Sequence, residues 1–121
     1  MNIDIPGVNA SRGIELCDGD QEMYLRFLEI YITNVPASLD NMRNVSESTL
    51  REYAVAVHGV KSNCQIIGAE EVGARAKQME ASAKAGNLAE VQANNTALIR
   101  DIEDLIRNIK SWLEKSGPAK N

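Results

Sequence analysis

From Gln21 onward, apolar residues recur at steps of three and four: Tyr24, Phe27, Leu28, Tyr31, Val35, Leu39 and Met42. This is the period of a helix that buries one face, and Asp20 stands where an N-cap belongs. Pro36 is placed to bend this long helix, because proline lacks the amide that bonds one turn back and crowds the carbonyl there. Before it, Asn2 to Asn9 contain Pro6 and Gly7 and read as an irregular lead-in. Ser11 to Cys17 form a short first helix, broken by Asp18, Gly19 and Asp20.

The pattern resumes after the polar break at Ser46 to Thr49. Thr49 and Glu52 have the spacing of a capping box, and Leu50, Tyr53, Val57, Val60, Cys64 and Ile67 form the core stripe of a third helix that stops at Gly68. A fourth helix, about 69 to 85, carries a narrow stripe of Val72, Ala76, Met79 and Ala83 and ends at Gly86. Asn87 and Glu90 repeat the capping spacing. The fifth helix then runs to about Lys115 with Leu88, Val91, Leu98, Ile102, Leu105, Ile109 and Trp112 or Leu113 inward, and Ser116 to Asn121 follow as a polar tail.

Strand-like alternation is absent, so the expected fold is all-α: an antiparallel four-helix bundle with a short additional N-terminal helix. A length of 121 residues suits one domain, with its core at about 9 to 115. Aromatic residues are only 4% of the chain, which leaves most packing to aliphatic and alanine contacts. The net charge of -4 argues against nucleic-acid backbone binding. Cys17 and Cys64 match no CxxC-type pattern and read as buried free thiols of a reducing compartment. No stretch approaches the ~20 apolar residues of a membrane span, and Met1 to Gly7 lack the order of a secretory leader, so the expected location is the cytoplasm.

His58 is the one histidine. At about 100° per residue it lies roughly 120° from the centre of the third helix's apolar stripe, and so faces outward. Ala54, Lys61, Ser62 and Gln65 share its side of the helix. Gly59 sits in a helix interior, where glycine costs about 1 kcal/mol relative to alanine. With Ala54 and Ser62 also small, the imidazole stands clear for a partner protein to close over it. No carboxylate occupies positions 54, 55, 61, 62 or 65, so an anion on His58 is expected to meet Lys61 instead. A zinc site joining His58 to Cys64 fails on geometry, since Cys64 belongs to the core stripe. A flat helical face offers no pocket and no second catalytic group for an enzyme.

The segment Ala56 to Glu70, in which His58 is followed by Lys61 and then by Gly68, resembles the signature of histidine-containing phosphotransfer (HPt) domains of bacterial two-component phosphorelays. The likeness extends over about residues 3 to 115, from Ile5 to Val8, Gly13 and Ile14, and Asp20 to Leu25, to Val72 to Glu80 and Ala85 to Leu88. Ser62 departs from it, because the family usually has glycine directly after the lysine.

The resemblance implies a phosphohistidine carrier rather than a complete enzyme. A phosphoryl group would reach His58, at Nε2, from a receiver-domain aspartate or a histidine kinase and pass to another receiver. Lys61 would stabilise its charge, and Ala54, Gly59, Ser62 and Gln65 would meet the partner. The resemblance also implies response-regulator receivers and a sensor or hybrid histidine kinase as partners, with Mg²⁺ supplied by the receiver, no cofactor on this chain, no nucleic acid, no membrane insertion and a monomeric state. The receiver is expected on the exposed side of the second and third helices, where Leu25 and Ile32 add apolar surface if the first helix does not bury them. Lys61→Ala is expected to leave the fold intact and slow transfer. The rival reading is a helical adaptor with an inert His58.

Overall fold

The computed structural model describes residues 3 to 116. It contains α1 (Ala10–Leu16), α2 (Gln21–Met42), a 3-10 turn (Glu47–Thr49), α3 (Leu50–Ile67), α4 (Glu70–Lys84) and α5 (Leu88–Ser116). The described residues form no strand. The last part of the expected polar tail, from 117 onward, lies outside the described residues.

Helices α2 to α5 each pack on the next, and α5 closes the ring against α2. Short connections fold successive helices back antiparallel. Asn95 of α5 donates to the carbonyl of Met42 at the end of α2 at 2.7 Å, and a Cβ on Gly7 would meet Leu105 much further along α5. The first contact joins the end of α2 to the first half of α5, and the second sets the lead-in before α1 beside later turns of α5.

Capping follows the side-chain chemistry. Asp20 accepts from the Met23 amide, Asn9 from that of Arg12, and Asn87 from that of Glu90. The box expected at Thr49 and Glu52 is displaced by one turn: the Thr49 hydroxyl accepts from the Ser46 amide at 2.8 Å and makes no capping bond to α3. That hydroxyl is held within the 3-10 turn, which precedes α3 directly. α2 continues past Pro36 for six residues without a break.

The expected stripes lie inward. Tyr24, Leu28, Tyr31, Val35, Leu39, Met42, Tyr53, Val57, Val60, Cys64, Ile67, Leu98, Ile102 and Ile109 are all buried. Despite the low aromatic content, Tyr24, Tyr31 and Tyr53 are the largest wholly buried side chains. Leu25 is buried too, so it adds nothing to the docking surface expected of it, and Ile32 is half-buried. A helix apolar around much of its circumference has more than one face to cover, and α2 is covered by α1, α3 and α5. Arg75 of α4 is half-buried and pairs with Asp101 of α5 at 2.5 Å.

Two glycines lock α1 over the end of α3. Gly68 terminates α3 at φ 83°, and its amide and that of Ala69 both return to the Cys64 carbonyl. A Cβ there would stand 2.2 Å from the Asn9 carbonyl oxygen, while the Asn9 amide donates to the Gly68 carbonyl at 2.8 Å. Gly13 of α1 lies against the Tyr24 ring, whose hydroxyl donates to the Ile67 carbonyl at 2.6 Å. α3 therefore begins and ends at fixed points, and the outward face of its middle turns carries His58.

Candidate functional site

His58 projects from the middle of α3 with just over half its side chain exposed (55%). One turn on, Lys61 is only 18% exposed, and its ammonium lies 2.8 Å from Oε1 of Glu80 on α4. The other oxygen of Glu80, Oε2, lies 2.7 Å from His58 Nδ1 and 3.1 Å from Nζ of Lys84, one turn along α4. A single carboxylate, 4% exposed, thus ties together the histidine and two lysines.

This corrects the expectation that the patch is free of negative charge. Along α3 no acid stands beside His58, but α4 brings one against it from the neighbouring helix. Sequence spacing reports neighbours on one helix, whereas Glu80 reaches His58 through the packing of α3 on α4, 22 residues away in the chain. A faint signal was legible: Glu80 directly follows the core residue Met79 and sits one turn before Lys84, which places a charge at the edge of a buried stripe.

The electrostatics fix the imidazole's tautomer. The hydrogen bond from Lys61 is the largest influence holding the Glu80 carboxyl at about 2, against a burial effect that alone would raise it, with Lys84 and His58 adding to the lowering. Glu80 is therefore ionised near neutrality and can only accept. Nδ1 of His58 must carry the hydrogen and donate it. In the neutral ring the lone pair then resides on Nε2, the nitrogen away from the carboxylate.

The other residues singled out from sequence do not form one collar. Ala54 joins Arg51, Val55, His58, Glu80 and Lys84 around an open depression. Ser62 and Gln65 line a different groove, with Leu16, Cys17, Phe27 and Ile66. Gly59 faces α2, where a Cβ would find only Ser38 Oγ at 3.8 Å, so the chain's own packing does not demand glycine there. Val55 (71%), Leu16, Met23, Ile30 and Ile66 are the exposed large apolar side chains. Both cysteines are buried, and Cys64 lies 3.3 Å from the Tyr31 hydroxyl. Among the described residues no group of three or more His, Cys, Asp or Glu side chains is gathered to hold a metal. None of the helices in the described residues is long and apolar enough to cross a membrane.

The helical bundle thus presents one oriented histidine on its surface, backed by a carboxylate and two lysines. The Hpt domain family model matches residues 26–112, and the chain belongs to this family of phosphotransfer modules of two-component signalling. Such domains act with receiver domains and kinases. The matched span takes in all of α3 and α4 and most of α2 and α5, and leaves α1 outside. No curated protein and no solved structure matches the chain.

Proposed function

We propose that this chain is a phosphorelay intermediate that accepts a phosphoryl group on Nε2 of His58 and hands it to a receiver domain. The observation that carries this reading is the 2.7 Å contact between Nδ1 and the ionised Glu80, which leaves the nucleophilic lone pair on the outward nitrogen.

The donor is an aspartyl phosphate of a receiver domain or a phosphohistidine of a kinase. The Nε2 lone pair forms the N–P bond as the bond from phosphorus to the donor's carboxylate oxygen or ring nitrogen breaks, and the donor leaves with the electron pair. The ring gains positive charge while Nδ1 keeps its hydrogen, and Glu80 stabilises that charge through the existing hydrogen bond. Lys61 keeps Glu80 from presenting a bare anion to the arriving phosphate, and its own charge lies close to the ring. The return step reverses the same events.

The chain supplies a nucleophile and cations. In-line transfer also needs Mg²⁺, held by the receiver, which completes the site. In this reading the domain is monomeric and cytoplasmic. Ala54, Gly59, Ser62 and Gln65 lie under the docked receiver, and exposed Leu16, Ile66 and half-buried Phe27 add apolar contact beside Ser62.

The test is incubation of the purified chain with phosphorylated receivers and the autophosphorylated hybrid kinase of its own cell. The wild type should gain an acid-labile, base-stable label that His58→Gln lacks. If no donor labels the chain, the inert adaptor takes the place of this reading.

A further inference from the structure

We propose that the phosphoryl group on His58 lies in the open depression between Arg51 and Lys84, and that these two cations are its direct charge partners, with Lys61 acting mainly through Glu80. The inference rests on the carrier reading above and assigns the residues that receive the phosphate.

Lys61, the cation singled out from sequence, is largely covered, and its ammonium is engaged at 2.8 Å with Oε1 of Glu80. Direct contact with a phosphate would require it to leave a carboxylate that is itself 4% exposed. The depression beside the ring has different walls: Arg51, Ala54, Val55, His58, Glu80 and Lys84. Both oxygens of Glu80, its one acid, are already occupied by cations or the imidazole.

Arg51 is exposed and makes no ion pair among the described residues, although acids outnumber bases in the chain, 17 to 13. It precedes His58 by about two turns, and seven residues at about 100° each bring it back to nearly the same side of α3. Ala54 lies between them and projects no more than a methyl group into the space. A guanidinium arriving over Ala54 can offer two parallel donors to phosphate oxygens.

Lys84 arrives from α4. Its ammonium and His58 Nδ1 share Oε2 of Glu80, so they are separated by no more than the two contacts, 3.1 and 2.7 Å, laid end to end. Lys84 is 67% exposed, so its ammonium is free to swing at the surface although the carboxylate it pairs with is buried. When its ammonium turns from Glu80 toward a dianionic phosphate, that carboxylate is still held by Lys61 and the imidazole, whereas the same movement by Lys61 would draw a largely covered ammonium out of its place.

The experiment measures the equilibrium constant for phosphoryl exchange between the full chain and one purified receiver that exchanges label with the wild type. Docking contacts cancel from this constant, because it depends only on the free phosphorylated and unphosphorylated species. Arg51→Ala and Lys84→Ala should each shift it against the chain by about threefold, and the double variant by about tenfold, the size expected of partly exposed ion contacts. Arg51→Lys and Lys84→Arg should retain most of the wild-type value. Circular dichroism melts should be unchanged for Arg51→Ala, which loses no ion pair among the described residues, and should fall only slightly for Lys84→Ala, because Lys61 and the imidazole still hold Glu80. Forward and reverse rates that fall together at an unchanged equilibrium constant would make both residues docking contacts and overturn the inference. The same result with Lys61→Ala alone shifting the constant would return the phosphate to Lys61. A wild-type chain labelled neither by phosphorylated receivers or kinase nor by phosphoramidate rejects the carrier reading, and the inference falls with it.

Discussion

Glu80 is held at about 2 in the folded chain against an ordinary 4.5. Lowering a carboxyl's value on folding gives stability that is fully present above pH 4.5 and is lost as pH falls from 4.5 toward 2. For this buried group the loss is on the order of 2–3 kcal/mol. Melting curves across that range should show the wild type losing stability more steeply than Glu80→Gln, which has no such group to protonate. The same variant should slow phosphoryl acceptance about tenfold, as when a carboxylate orienting a histidine is lost; an unchanged rate would remove Glu80 from the mechanism. The structure also revises the expected outcome for Lys61→Ala. That change removes the principal partner of a buried carboxylate, so it should cost about 1–3 kcal/mol of stability in a denaturant titration as well as slowing transfer.

At the scale of the helices, the glycines of α1 and α3 separate into two kinds. Gly68→Ala would place a methyl group 2.2 Å from the Asn9 carbonyl in a left-handed conformation, and should lower stability by about 2 kcal/mol or more. Gly59→Ala meets only Ser38 Oγ at 3.8 Å and replaces a helix-interior glycine, so it should raise stability by about 0.5–1 kcal/mol. Stopped-flow transfer from a receiver should nonetheless slow in that variant. A more stable Gly59→Ala chain with undiminished transfer would mean that the bare backbone serves no partner. Helix positions and ends were legible because they are local: Asp20, Asn87 and Gly68 act on their own turns. The capping box was misplaced by one turn because Thr49 had two possible amides to serve, and the bond to Ser46 belongs to a 3-10 turn with no periodic pattern to announce it.

At the scale of the whole molecule, α2 to α5 close into a ring among the described residues, and the integrity of that ring has a direct readout in the two thiols. Burial pushes the Cys64 thiol up to about 11 and raises that of Cys17. A thiol reagent such as DTNB should react with neither in the native chain and with both in denaturant; rapid native labelling of Cys64 would contradict the core described here. The order of helices, the buried stripes and the outward histidine follow from the sequence by itself, since each depends on residues within a few turns of one another. The electrostatic surroundings of that histidine do not. α3 alone presents His58 and Lys61 with no acid nearby, and only the packing of α4 on α3 brings Glu80 and Lys84 to the imidazole. Tertiary structure likewise buried Leu25, committed Lys61 to a carboxylate, and left Arg51 and Lys84 at the open side of the ring. Periodicity specifies which face of a helix turns inward, but the register between two packed helices is set by how their side chains interlock. That register decides which charge meets the histidine.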